Sequence, residues 1–226
     1  MRDFFYAPFC HLSVSLAYQI MMSTATILNH RLSNQQIAAT SLTNPEAIVR
    51  WFVAMQAQEY AMSKWSIALR VPGFNNDIIE QLFNEGKILR THLLRPTWHF
   101  VSPEDIRWLL MLTAPRVHQA SAFMYRKSEL TPAIFNRCNN IIIQLLEGGK
   151  QLTRNIFKDA FQREHIATDD FRLSYIMMQA ELEGIICSGG REGKQFTYAL
   201  LEERVAPMPA ISKEEALIEL SRRYFA

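Results

Sequence analysis

Arg191 and Lys194 are the first residues in this sequence with an evident chemical use, because they sit near the tip of a glycine-rich connection. The segment Ser188-Gly189-Gly190-Arg191-Glu192-Gly193-Lys194 joins two strand-like runs, Ile185-Ile186-Cys187 and Phe196-Thr197-Tyr198-Ala199-Leu200. Such a hairpin carries its tip away from the core, where a guanidinium or ammonium group reaches phosphate oxygens or a minor groove. The helix expected just before it, from Asp169-Asp170 to Glu183, offers Arg172, Ser174, Tyr175 and Gln179 as polar positions, with Glu181 and Glu183 near its end. A second block, Lys87 to Val101, interleaves Arg90, Arg95, Thr97 and His99 with apolar residues and has Pro96 in its middle. His99 has no recognisable Asp or Ser partner and reads as a hydrogen-bonded structural histidine. Cys10, Cys138 and Cys187 are odd in number and follow no metal-ligand spacing, which points to free thiols in a reducing compartment and a cytoplasmic location. Zinc, P-loop and dinucleotide signatures are absent from the sequence.

The elements that must position these residues repeat. In the first half, Thr43-Asn44-Pro45-Glu46 opens a helix, with Asn44 as cap and Pro45 at the first helical position, and Ile48, Trp51, Phe52 and Met55 continue it to about Met55. Gln56-Ala57-Gln58 comes next. Short helices are expected over Met62 to Leu69 and over Asn76 to Asn84, the latter capped by Asn76 and closed by Gly86. Two short strands meet near Arg95-Pro96, and Ser102-Pro103-Glu104-Asp105 reopens helix with a stripe of Ile106, Leu109, Leu110 and Leu112. In the second half, helices begin at Thr131-Pro132, about Thr153 and Asp169-Asp170, and Gly184 precedes the hairpin. Three helices and then a glycine-rich hairpin make a winged helix, whose third helix is the expected recognition helix. The fold class is therefore mainly α with small β-hairpins, an α+β arrangement of tandem winged-helix modules. The expected boundaries are 24–128 for the first module, 129–205 for the second, and 206–226 for a stiff Pro-containing linker and the start of a third.

Composition sets outer limits. At 226 residues, 49% apolar and 20% charged, the chain is ordinary globular protein with room for two or more modules. The net charge of +2 does not by itself point to nucleic acid, so any such surface has to come from local clustering of Lys and Arg. Residues 1–23 form an apolar leader: Arg2 is cancelled by Asp3, and Pro8, His11 and Gln19 interrupt the run, which argues against a signal peptide or membrane anchor.

The order and spacing of several blocks resemble the tandem winged-helix family of AlkZ-like DNA glycosylases. They are Gln56-Ala57-Gln58-Glu59-Tyr60, Trp65-Ser66-Ile67-Ala68-Leu69-Arg70-Val71-Pro72-Gly73, Ile88-Leu89-Arg90-Thr91 and Arg95-Pro96-Thr97-Trp98-His99-Phe100-Val101. The similarity runs from about Leu28 to the C-terminus. Glu219-Leu220-Ser221-Arg222-Arg223-Tyr224 looks like the opening of the family's third winged helix, so a chain truncated before that module is expected.

The resemblance implies excision of alkylated purines, N7-linked guanine crosslinks included, without metal or organic cofactor. Gln56 and Gln58 match the family's catalytic glutamine-x-glutamine motif, whose alternative form carries Asp at the second position; Glu59 is out of register. An N7-alkylguanine already bears positive charge and departs neutral. The site therefore needs no general acid and has only to steady an oxocarbenium-like sugar and place a water beneath C1′. Arg90 and Arg95, in the matching hairpin block, are expected at phosphates together with Arg172, Arg191 and Lys194. The expected partner is double-stranded DNA, with no membrane and no obligate protein partner. The competing class is a non-enzymatic winged-helix DNA-binding protein or transcriptional regulator, and Gln56 and Gln58 discriminate the two.

Overall fold

In the computed structural model the described residues are 24–169 and 171–225. The expectations for the leader, Cys10 among them, lie outside these. The chain divides between Ser41 and Leu42. The first unit contains one described helix, α1 (Thr24–Asn34). Every other element belongs to the second unit.

The first module of that unit starts with α2 (Pro45–Phe52), where the Asn44 side chain accepts from the Ala47 amide at 2.7 Å and Pro45 needs no amide partner. The helix stops earlier than its apolar spacing predicts. Val53 adopts a left-handed φ of 64°, strained for a β-branched residue, and its burial among Leu89, Leu93 and Val101 holds it there. The chain is thereby turned into a strand, β1 (Met55–Gln56), and then into α3 (Tyr60–Ala68) and α4 (Asn76–Asn84). Asn75, not Asn76, caps α4, accepting from the amides of Asp77 and Ile78 at 3.0 Å. Then come β2 (Leu89–His92) and β3 (Trp98–Val101), in an antiparallel sheet ordered β1-β3-β2. Ile48, Val49, Ile67, Ile79, Phe83 and Phe100 form the core beneath that sheet.

The connecting helix α5 (Ile106–Lys127) begins later than Ser102, whose hydroxyl donates to Asp105 Oδ2 at 2.8 Å. Ile106, Leu109, Leu110, Thr113, Ala114 and Val117 are its buried stripe, and Pro115 is exposed. The second module repeats the order of the first: α6 (Pro132–Leu146), β4 (Leu152–Thr153), α7 (Arg154–Arg163), α8 (Arg172–Leu182), β5 (Ile186–Glu192) and β6 (Gln195–Leu200), with a sheet ordered β4-β6-β5. Phe157, Phe161, Cys138, Ile142 and Ile176 fill its core.

The glycine-rich segment expected as a loop is largely strand. β5 runs to Glu192 across an irregularity between Ser188 and Arg191, leaving Gly193-Lys194 as the turn. Gly189 is needed at the irregularity, since a Cβ there would collide with Thr197 Oγ1. After α9 (Leu201–Arg204), the helix α10 (Lys213–Phe225) is capped reciprocally by Ser212 and Glu215. It returns to the first module through Arg223, which donates to Asp105 Oδ2 at 2.7 Å. The modules also lock through Arg204, whose guanidinium donates to the carbonyls of Phe83 and Asn84 at 3.2 and 2.9 Å at the end of α4. No helix among the described residues is long and apolar enough to cross a membrane.

Candidate active site

Gln56 lies on an edge strand and Gln58 two residues on, just past its end. Met55 and Ala57 turn into the core while Gln56 and Gln58 are exposed, the alternation of a half-buried strand. Gln56 pairs with His99, and the Ala57 amide extends the ladder by donating to the Trp98 carbonyl at 2.8 Å. Ser63 fixes the turn into α3 by donating to the carbonyls of Gln56 and Glu59, at 3.1 and 2.8 Å. Gln58 bends back over the sheet, its Oε1 accepting from the Trp98 amide at 3.4 Å.

Directly behind the motif lies Arg90, 7% exposed. Its Nε donates to the Ala57 carbonyl at 2.9 Å and its Nη2 to the Gln58 carbonyl at 3.3 Å. The guanidinium sits over the rings of Trp98 and Phe196, 4.3 and 4.6 Å from their centroids. Burial lowers its pKa below the usual arginine value. A cation expected at phosphate is thus the clamp for the backbone that presents the glutamines.

In front of Gln58 opens a cleft of about 370 Å³. Its walls come from both modules: His92, Pro96 and Trp98 from the first, Arg154, Phe171 and Tyr175 from the second. Arg154 donates to Ser174 Oγ at 2.6 Å. His92 Nδ1 faces Glu181 Oε2, which also accepts the His92 backbone amide at 3.2 Å. His99 is 3% exposed and donates to the Thr97 carbonyl at 2.9 Å; burial pushes its pKa down to about 4, so the ring stays neutral.

The sequence profile of the AlkZ-like family, described as "DNA glycosylase AlkZ-like", matches residues 49–226. The chain belongs to the AlkZ-like DNA glycosylase family. Among solved structures it is similar to the Streptomyces sahachiroi DNA glycosylase AlkZ, with a TM-score of 0.71 at 19% sequence identity, over 86% of this chain and 54% of that one. At that identity the likeness speaks for the fold, and the chain spans about half the length of the structure it matches. No curated protein matched it in a sequence comparison.

The remaining cations of this AlkZ-like chain divide by exposure. Arg95 and Lys194 are exposed at the two hairpin ends. The Arg191 side chain is 15% exposed: its guanidinium lies over Phe196 and Tyr60, at 4.3 and 5.1 Å, and its Nη2 donates to the Lys194 carbonyl at 2.6 Å. It pins the wing to the first module instead of extending from it. Arg172 donates to the carbonyls of Ala167 and Ser128, tying the start of α8 to the end of α5. The recognition-helix expectation is also corrected, because α8 is buried continuously from Ile176 to Leu182 and packs on β2 and α5. A helix enclosed in this way has no free face for a major groove. What α8 does offer is its first turn, where Phe171 and Tyr175 line the cleft. Arg154, His92 and Glu181 were missed by the sequence reading, and the last two, 89 positions apart, leave no local signal.

Burial raises the thiols of Cys138 and Cys187 to about 11 and about 12, so both are unreactive core residues.

Proposed function

We propose that this AlkZ-like chain binds duplex DNA and excises N7-alkylated purines, crosslinked guanines included, as a monofunctional glycosylase. The observation that carries the reading is the placement of Gln56 and Gln58, both exposed, on and just past the edge strand β1. Their backbone is clamped by Arg90, and Gln58 stands at the mouth of a cleft. Amide oxygens held on so rigid a support suit the reaction. The cationic base leaves without a proton, so the enzyme has to stabilise positive charge on the sugar and hold a water beneath C1′. Gln58 takes the water and Gln56 the sugar beside it. Phe171 and Tyr175 are aromatic faces against which an extruded base can stack, and Arg154, Arg95 and Lys194 supply charge for the backbone.

The test is release of free base. The full chain is incubated with duplex carrying one N7-methylguanine, and the liberated purine is separated and counted under single-turnover conditions. Release well above spontaneous depurination, with none from unmodified guanine, is expected. Absence of release together with sequence-specific duplex binding would hand the chain to the regulator reading.

A further inference from the structure

The carboxylate of Glu181 is a charge with no part in the glutamine chemistry, and its placement is costly. The residue is 1% exposed on α8, and a buried carboxylate persists where it is paired and hydrogen-bonded. Its partner is His92 of the other module. One oxygen, Oε2, accepts the His92 backbone amide at 3.2 Å and faces ring atom Nδ1. With Nδ1–H committed to that carboxylate, the ring's remaining polar atom is Nε2, which then carries a lone pair. His92 and Gln58 line the same cleft. The imidazole packs on Trp98 with ring centroids 4.5 Å apart, and Trp98 donates its amide to Gln58 Oε1. Glu181 thus meets His92, His92 meets the Trp98 ring, and the Trp98 backbone amide meets Gln58 at the cleft.

This order answers a question the glutamines leave open. An amide oxygen can orient a water but cannot take its proton, whereas a neutral imidazole can. We infer that His92 is the proton acceptor for the water that Gln58 places, with Glu181 as the positioning residue that fixes its tautomer. The inference rests on the glycosylase reading above. In the step, the water oxygen bonds to C1′ as the C1′–N9 bond breaks. The electron pair of that bond goes to the cationic purine, which leaves neutral. The water proton passes to Nε2, and the imidazolium, stabilised by the Glu181 carboxylate, later returns it to solvent.

The other titratable or charged groups around the pair are Tyr175 of α8, Arg154 of α7 and Tyr198 of β6 in the cleft, with His99 and Arg90 of its own sheet. Burial pushes the His99 pKa down to about 4, so that ring stays neutral, and burial also raises Tyr198. A fall in rate at low pH that His92→Asn abolishes is therefore assigned to the His92–Glu181 pair.

The experiment is the pH dependence of single-turnover excision of N7-methylguanine from duplex by the full chain, the unaltered protein first. The expected rate falls through an inflection as the pH is lowered, as loss of a required neutral base demands. His92→Asn should slow excision by roughly 100-fold, abolish the inflection and leave duplex affinity unchanged. Glu181→Gln should move the inflection, an effect that simple loss of packing does not produce. A rate independent of pH between about 5 and 8, or His92→Asn excising as fast as the parent, overturns the inference. Should His92→Asn not fold, the profile of the unaltered chain decides alone. If Gln58→Ala is inactive while His92→Asn is fully active, the glutamine reading stands and the dyad falls. If the parent releases no base, both fall together.

Discussion

The two winged-helix modules have the same element order and the same sheet order, yet one presents exposed glutamines at its edge and the other does not. Sheet register aligns them. Across the first sheet run Met55, Phe100 and Arg90; across the second run Leu152, Tyr198 and Ser188. The neighbouring row sets Gln56 beside His99 in one and Thr153 beside Thr197 in the other. The difference lies in the segment between the edge strand and the next helix. After Gln56 three residues intervene before α3, which keeps the chain extended and sends Gln58 outward; after Thr153 the helix α7 begins at once with Arg154. Thr153 is buried, Gln56 exposed. The extra length of edge, not a different topology, makes room for the motif. The second module supplies the opposite wall of the cleft and the carboxylate behind His92.

The largest effect separates the two edges. On the proposed glycosylase reading, Gln58→Ala removes a polar group from the site of developing positive charge and should cut excision about 100- to 1000-fold, roughly 3–4 kcal/mol in the barrier, with duplex affinity and melting temperature nearly unchanged. Thr153→Ala, in the row of the silent edge, should leave the rate as it is. A parental rate in Gln58→Ala, or a comparable loss in Thr153→Ala, would erase the distinction between the modules.

Next in size is a stability contrast at the aligned pair Arg90 and Ser188, which meet where the Arg90 amide donates to Ser188 Oγ at 2.8 Å. Arg90→Ala strips two carbonyls of a charged donor and two rings of a cation. The expected destabilisation is about 2–3 kcal/mol, read by denaturant unfolding, together with lost excision because the motif loses its clamp. Ser188→Ala removes one neutral acceptor and should cost about 1 kcal/mol with activity retained. Equal losses in both would mean that Arg90 serves only the contact between modules.

This contrast also marks how far sequence reading reaches. The second module was legible because its helices are long, capped at Thr131 and stopped at Gly184, and its wing is flanked by runs of β-formers. The hairpin around Arg95-Pro96 was legible for the same reason, whereas the two glutamines were singled out only through the family resemblance of their surroundings. The edge strands β1 and β4 were not, since two residues show no alternation, and the left-handed Val53 that ends α2 carries no residue-type signal. Arg90 and Arg191 read as surface cations because one ring over each, Phe196 on Arg90 and Tyr60 on Arg191, comes from a distant part of the chain. Polar positions on α8 suggested an exposed face, but β2 and α5 close over it and convert Glu181 into a buried partner.

The smallest effect compares the two hairpin ends. Each module leaves one exposed cation there, Arg95 in the first and Lys194 in the second. If both ends ride on the DNA backbone, each neutralised phosphate releases counterions, and the logarithm of affinity falls with the logarithm of salt by about 0.9 per contact. Arg95→Ala and Lys194→Ala should each lower that slope by about one and weaken binding evenly across sequences, while the double variant lowers it by about two. Excision measured at saturating protein should be unchanged, because neither residue is part of the glutamine edge. Arg191→Ala is the control within the wing: its guanidinium is folded onto Phe196 and Tyr60, so the slope should stay and melting temperature should fall. If Lys194→Ala leaves the slope untouched while Arg95→Ala lowers it, the duplex is held by the first module alone and the second acts as wall and support.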